Sequence, residues 1–140
     1  MPDPQASGYQ KIFGAMPELN VRNVAFMALS VATIAAVLTD DIEAETESLL
    51  SFDTTKIQST VLKVAHHGSS TSSTVGFLNA VDPEAVVVAA GSKNPFGHPT
   101  DKVVGRLMRQ TGVENIYRTD RHSDVEFVTN GRDLWVNTER

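Results

Sequence analysis

The sequence predicts an α/β layered half-sandwich, and three observations carry that reading. Short apolar runs alternate three times with helix-length amphipathic segments between residues 34 and 112. One of those runs, Ala85 to Ala90, is unbroken by any polar residue, as expected of a strand covered on both faces. Behind the last helical segment come three short strand patterns, two of them joined through Asn130-Gly131, a strong hairpin signal. Strand–helix alternation that ends in a β meander specifies stacked layers and not a bundle or a barrel.

The elements follow in order. Met1 to about Leu19 carries Pro2, Pro4, Gly8, Gly14 and Pro17 and reads as a loop or loosely held arm, leaving residues 20–140 as one domain. Val24 to Leu29 and Ile34 to Leu38 read as two buried strands joined by a turn near Ser30 to Thr33. Asp41 is placed to cap a helix from Ile42 to about Phe52, with Glu43 and Glu45 complementing its first turn. Thr60 to Ala65 is a strand. Ser72 or Ser73 is expected to cap a short helix through Phe77, Leu78 and Ala80, which Asp82-Pro83 ends. After the strand at Ala85 to Ala90, Thr100 caps a helix with an apolar stripe of Val103, Val104, Leu107 and Met108, and Gly112 closes it. Asn115 to Arg118, Val125 to Thr129 and Leu134 to Asn137 complete the chain as strands.

Composition narrows the function classes. A chain of 140 residues with 41% hydrophobic and 21% charged content supports one globular core. Twelve basic against 17 acidic residues leave a net charge of −5, which disfavours nucleic-acid binding by general electrostatics. It does not disfavour a site that handles one phosphate at a time. The absence of cysteine excludes disulfide frameworks and thiolate zinc sites and leaves the compartment undetermined. No signal peptide is visible from Met1 to Met16. The uncharged stretch Asn23 to Thr39 falls short of the roughly 20 residues of a span, so no membrane insertion by this chain is expected.

Chemistry concentrates at three strand ends. Val37-Leu38-Thr39-Asp40-Asp41 ends in carboxylates, and Lys63-Val64-Ala65-His66-His67-Gly68 ends in two of the four histidines. The loop after Ala90 presents Gly97-His98-Pro99. Asp, His-His and His are the ligand types that hold Zn²⁺ or Mn²⁺. Gly68 permits a close approach by a ligand, Ser69, Ser70 and Thr71 offer hydroxyls to phosphate oxygens, and His122 reads as a surface residue.

These residues also carry a resemblance. The stretch Thr39 to Glu45, the run Val61 to Ser69, Gly97-His98-Pro99 and Tyr117-Arg118-Thr119-Asp120 together resemble the metallo-β-lactamase-like domain of the competence DNA-uptake channel family. The resemblance runs from about Asn20 onward and implies a binuclear metal-dependent hydrolase acting on phosphodiesters. It implies Asp41 as a metal-bridging carboxylate, His98 as a late metal ligand and Asn94 as a polar contact beside it. One of the two adjacent histidines is then a ligand and the other a proton donor to the leaving group. We assign His66 to the metal and His67 to catalysis, the residues alone leaving the two interchangeable. Asp40 stands where the family usually has glycine.

The family's first-half motif, H-x-H/D-x-D-H, has no counterpart, since no two histidines lie two residues apart. The chain therefore looks like the C-terminal half of a metallo-β-lactamase αββα sandwich, with a mixed sheet, helices on one side and a C-terminal meander. Asp41, His66 or His67, and His98 are enough for one weakly held ion and too few for two. Two readings follow: an incomplete phosphodiesterase or nuclease-like hydrolase that lacks full activity alone, or a non-catalytic binding or assembly module. In either, an apolar sheet face left uncovered predicts self-association as a homodimer.

Overall fold

A computed structural model describes residues 8–13, 36–52 and 57–140. Among the described residues, seven strands form two sheets. Ala36–Leu38 (β2), Val61–Lys63 (β3), Ala85–Val88 (β4) and Ile116–Arg118 (β5) make a four-stranded sheet in the order β2-β3-β4-β5, parallel throughout. Tyr9–Phe13 (β1), Val125–Thr129 (β6) and Leu134–Thr138 (β7) make an antiparallel sheet in the order β1-β7-β6. Ala44–Leu50 (α1), Val75–Val81 (α2) and Asp101–Thr111 (α3) connect the parallel strands, and Thr119–His122 (α4) is a single turn after β5.

Side-chain alternation along β4 explains the layering. Val86 and Val88 point into a core shared with Leu62 and Val64, where Phe77, Leu78 and Val81 of α2 and Val103 and Leu107 of α3 cover them. Ala85 and Val87 point the other way, to Tyr117 and to Val136, Val125 and Phe127 of the antiparallel sheet. The Tyr117 and Phe127 rings meet edge-to-face with centroids 5.6 Å apart. Helices thus cover one side of the parallel sheet and the antiparallel sheet packs on the other. Burying each large core side chain contributes roughly 1.5–3 kcal/mol.

Several expectations are corrected here. Tyr9–Phe13, within the stretch read as a loop, is a strand held by β7, by Lys11 Nζ to Asp133 Oδ1 at 2.8 Å and by Tyr9 donating to Glu126 at 2.7 Å. The three C-terminal strands are not one meander, and the sheets are not one mixed sheet: β5 extends the parallel sheet and only β6 and β7 form the hairpin. The face over β4 and β5, expected to be bare, is covered by the antiparallel sheet. Exposed apolar side chains remain instead at Leu38 on β2 and at Leu49 and Phe52 around the end of α1. The strand read at Val24 to Leu29, the adjoining turn and the start of the next strand lie outside the described residues.

Helix starts also shift. Glu43, not Asp41, stands at the N-cap position of α1 and makes no side-chain cap hydrogen bond, while the Ala44 N–H is taken by the Thr71 carbonyl at 2.9 Å. Thr74, not Ser72 or Ser73, caps α2, its hydroxyl accepting the Phe77 N–H at 3.3 Å. Ser72 is unavailable, its buried hydroxyl bonding the Ala65 and Ser69 carbonyls at 2.9 and 3.0 Å. His122 is half-buried, its Nδ1 accepting the Arg118 N–H at 3.0 Å, so it closes the α4 turn and is not a free surface group.

Candidate functional site

Because β2 to β5 are parallel, their carboxyl ends share one edge of the sheet, where open α/β sheets place their ligand crevices. Each end delivers part of the candidate site: Asp40 and Asp41 follow β2, His66 and His67 follow β3, the Ala89 to His98 loop follows β4, and Thr119 follows β5. A cleft of about 430 Å³ opens there, walled by Ala89, Ala90 and Gly91 and edged by His67, Asn94, Phe96, His98 and Thr119.

The two histidines lie in a tight turn, Ala65–Gly68, in which His66, His67 and Gly68 all adopt positive φ, at 48°, 53° and 82°. Left-handed backbone is costly for residues with a Cβ, on the order of 1 kcal/mol each, and concentrates at functional sites. The turn is held by its surroundings: the His66 N–H bonds the Asp40 carbonyl at 3.1 Å and the Ser69 N–H bonds the His66 carbonyl at 2.9 Å. Gly68 faces Pro99, where an added Cβ would stand 2.5 Å from the proline Cβ. Its carbonyl accepts the Thr100 N–H at 3.0 Å and the Thr100 hydroxyl at 3.3 Å. The glycine therefore admits the neighbouring loop, and the two histidine loops are joined through it.

The imidazoles are individually placed. His67 Nδ1 lies 2.6 Å from the Ala89 carbonyl, an acceptor only, so Nδ1 carries a proton and Nε2 is the free nitrogen. That Nε2 faces Asp41 Oδ1 at 3.9 Å. His66 Nδ1 lies 3.6 Å from Glu43 Oε1, too long for a hydrogen bond, and is buried without a partner among the described residues. His98 Nδ1 is likewise buried and has no partner among the described residues. The His66 and His98 rings meet edge-on with centroids 6.1 Å apart, and Phe96 stacks on His98 at 6.0 Å with 22° between planes.

Of the residues singled out from the sequence, the structure gathers His67, Asn94 and His98 on the cleft, with Asp41 beside His67 and His66 beside His98. Asn94 spends its amide on the loop: its Nδ2 donates to the Gly91 and His98 carbonyls at 2.8 and 2.7 Å, and its Oδ1 accepts the His98 N–H at 2.9 Å. Ser69 is buried and bonded to the Thr71 hydroxyl at 3.0 Å, while Ser70 is exposed, and neither edges the cleft.

Four contributors were given no role by the sequence. Thr119 ties β5 to the cleft wall, its hydroxyl donating to the Ala90 carbonyl and accepting the Ala90 N–H, both at 2.9 Å. Phe96 stands at the rim. Glu47, fully buried on α1, accepts the Ser73 and Thr74 N–H groups at 2.5 and 2.8 Å, and Arg106 holds the Ser72 and Ser73 carbonyls from α3 at 2.9 and 3.1 Å. The loop after His67 is clamped from both sides. Beyond Thr119, Arg118 grips Asp120 with two hydrogen bonds of 2.9 and 2.6 Å, which hold the Asp120 carboxyl below the usual range.

The donor types suit a divalent ion, and two unpartnered buried imidazole nitrogens are present. Among the described residues, however, no three His, Asp or Glu side chains converge closely enough to hold an ion. The residues as placed do not fit a closed metal centre by themselves. Among the described residues, no helix is long and apolar enough to cross a membrane.

No protein-family model matches the chain, and no solved structure matches it. Curated proteins do. The chain is 39% identical over 94 residues to Competence protein ComA of Neisseria gonorrhoeae, covering 66% of this chain and 13% of that protein. It is 33% identical over 91 residues to ComE operon protein 3 of Bacillus subtilis, covering 65% and 12%. Recombination protein 2 of Haemophilus influenzae is 38% identical over 82 residues, covering 58% and 10%. Over more than half of its length, the chain is similar to a short segment of proteins named for competence and recombination.

Proposed function

We propose that the chain provides a phosphodiester-binding half-site of a metallo-β-lactamase-type hydrolase that serves DNA uptake, and that it is a poor catalyst by itself. The observation that carries the reading is the meeting of His67 and His98, with Asp41 3.9 Å from His67, at the carboxyl edge of one parallel sheet. The similarity to a segment of a protein named for competence supports this setting. With Nδ1 committed to the Ala89 carbonyl, His67 presents Nε2 as its free nitrogen, 3.9 Å from Asp41 Oδ1. In the imidazolium form that nitrogen would hand a proton to the leaving oxygen of a phosphodiester in the cleft. A bound Zn²⁺ or Mn²⁺ would polarise the phosphate, but a competent centre needs donors beyond those this site brings together.

A second reading, a non-catalytic module that assembles with a second copy, is favoured by the exposed Leu38, Leu49 and Phe52. The test of the first is saturation-transfer NMR with dimethyl phosphate, the simplest phosphodiester. Transfer is expected in the native chain and lost in His67→Ala and in His98→Ala. Equal transfer in all three proteins overturns the half-site.

A further inference from the structure

The cleft has a feature that phosphate chemistry does not use. Phe96 is 76% exposed, an unfavourable position for a phenyl ring, yet its loop is held firmly by the three hydrogen bonds of Asn94. One side of the ring is backed by His98, 22° from parallel. The wall beside it is Ala89, Ala90 and Gly91. We infer that Phe96 is a stacking platform for one unpaired nucleobase, so that the site takes single-stranded and not double-stranded nucleic acid. This rests on the phosphodiester reading above and adds to it the part of the substrate that the histidines leave unrecognised.

Three considerations lead there. A cleft of about 430 Å³ is within the size range of pockets for small organic ligands, ample for a nucleotide unit. A chain of net charge −5 gains little from a long run of phosphates, so attraction to nucleic acid must come from elsewhere. Base–aromatic stacking supplies it without regard to base identity, because every base has a π face. In a duplex those faces are already stacked on each other, and only a single strand or an extruded base can offer one. An aromatic ring backed by His98 and presented beside His67 would then bring the phosphodiester next to that base to the imidazoles.

The test compares fluorescein-labelled pentathymidylate with a pentamer of abasic residues that keeps every phosphodiester, by fluorescence anisotropy with the full chain. Pentathymidylate is expected to bind about tenfold more tightly, within the range of one base–aromatic stack. Phe96→Ala should abolish the difference, and Phe96→Trp should restore it with quenching of the new indole emission by the oligomer. Circular dichroism confirms that each variant is folded, as expected for an exposed ring. Equal binding of the two pentamers by the native chain overturns the platform and leaves the phosphodiester site standing. Retained discrimination in Phe96→Ala, or no binding of either pentamer, also overturns it. The dimethyl phosphate experiment judges the underlying site separately, because that probe has no base.

Discussion

Replacing Gly68 with alanine tests how the two histidine loops are joined. The residue sits at φ 82°, and its new Cβ would stand 2.5 Å from Pro99 Cβ and 3.0 Å from Pro99 Cα. Left-handed backbone costs a residue with a Cβ about 1 kcal/mol. Relieving the contact requires Pro99 to retreat by roughly 1 Å, an overpacking that costs about 1–3 kcal/mol in close-packed interiors. The sum is about 2–4 kcal/mol, a large share of the ~5–15 kcal/mol that a domain has. Gly97→Ala is the control: its φ is 68° but its Cβ would meet nothing within 4 Å, so only the backbone cost applies. In urea unfolding, with a slope of about 2 kcal/mol per molar, Gly68→Ala should lower the midpoint by about 1–2 M and Gly97→Ala by about 0.5 M. Equal midpoints for the two variants would refute the claim that Gly68 is where the loops lock.

Glu47→Ala should destabilise by about 2–5 kcal/mol in the same assay, because the Ser73 and Thr74 N–H groups lose their buried acceptor; a loss under about 1 kcal/mol would contradict the clamp. Asp120 has a carboxyl held low by Arg118, so its contribution is fully present above the unfolded value and lost as pH falls through the folded one. The stability gap between the native chain and Asp120→Asn should therefore be constant above about pH 5 and shrink below about pH 4; a gap that widens on acidification would reverse the sign. Because no three donors converge among the described residues, calorimetry with Zn²⁺ and Mn²⁺ should find no site tighter than micromolar, with turnover of bis(p-nitrophenyl) phosphate near background. Two nanomolar ions per chain with robust turnover would show a complete centre. Sedimentation at micromolar concentration should show a dimer weakened by Leu38→Asp, whereas a strict monomer would mean that Leu38, Leu49 and Phe52 cover no mate.

The sequence made the sheet centre and the last long helix legible because their signals are local. Ala85–Val88 is an unbroken apolar strand buried on both faces, and the stripe on Asp101–Thr111 buries Val103 and Leu107 while leaving Met108 exposed. The hairpin was legible too, although its loop runs over Asn130 to Asp133, with Asn130 Oδ1 accepting the Arg132 and Asp133 N–H groups at 2.9 and 2.8 Å. Features set by distant partners were not. The strand at Tyr9–Phe13 depends on pairing with Leu134–Thr138 at the far end of the chain. The left-handed pair His66-His67 depends on Asp40 and on the contact of Gly68 with Pro99. The burial of Glu47 was not legible, because its two partners lie on another segment of the chain. The positions of Asp41, His66 and His67 after apolar strands were legible from the sequence, and the structure places those strand ends on one sheet edge. Thr119 was legible only within the stretch Tyr117 to Asp120, with no role of its own, and Phe96 carried no signal beyond its place in the loop before His98.

The central claim is that His67 and His98 form one phosphodiester-binding cleft, and the four histidines allow it to be read directly. His122 is an internal reference, its Nδ1 engaged by the Arg118 N–H next to Tyr117 and not on the cleft edge. Imidazole proton–carbon spectra recorded during titration with dimethyl phosphate should show the His67 and His98 signals moving together along one saturating curve while His122 stays in place. Stationary His67 and His98 signals, or equal movement of all four, would contradict it.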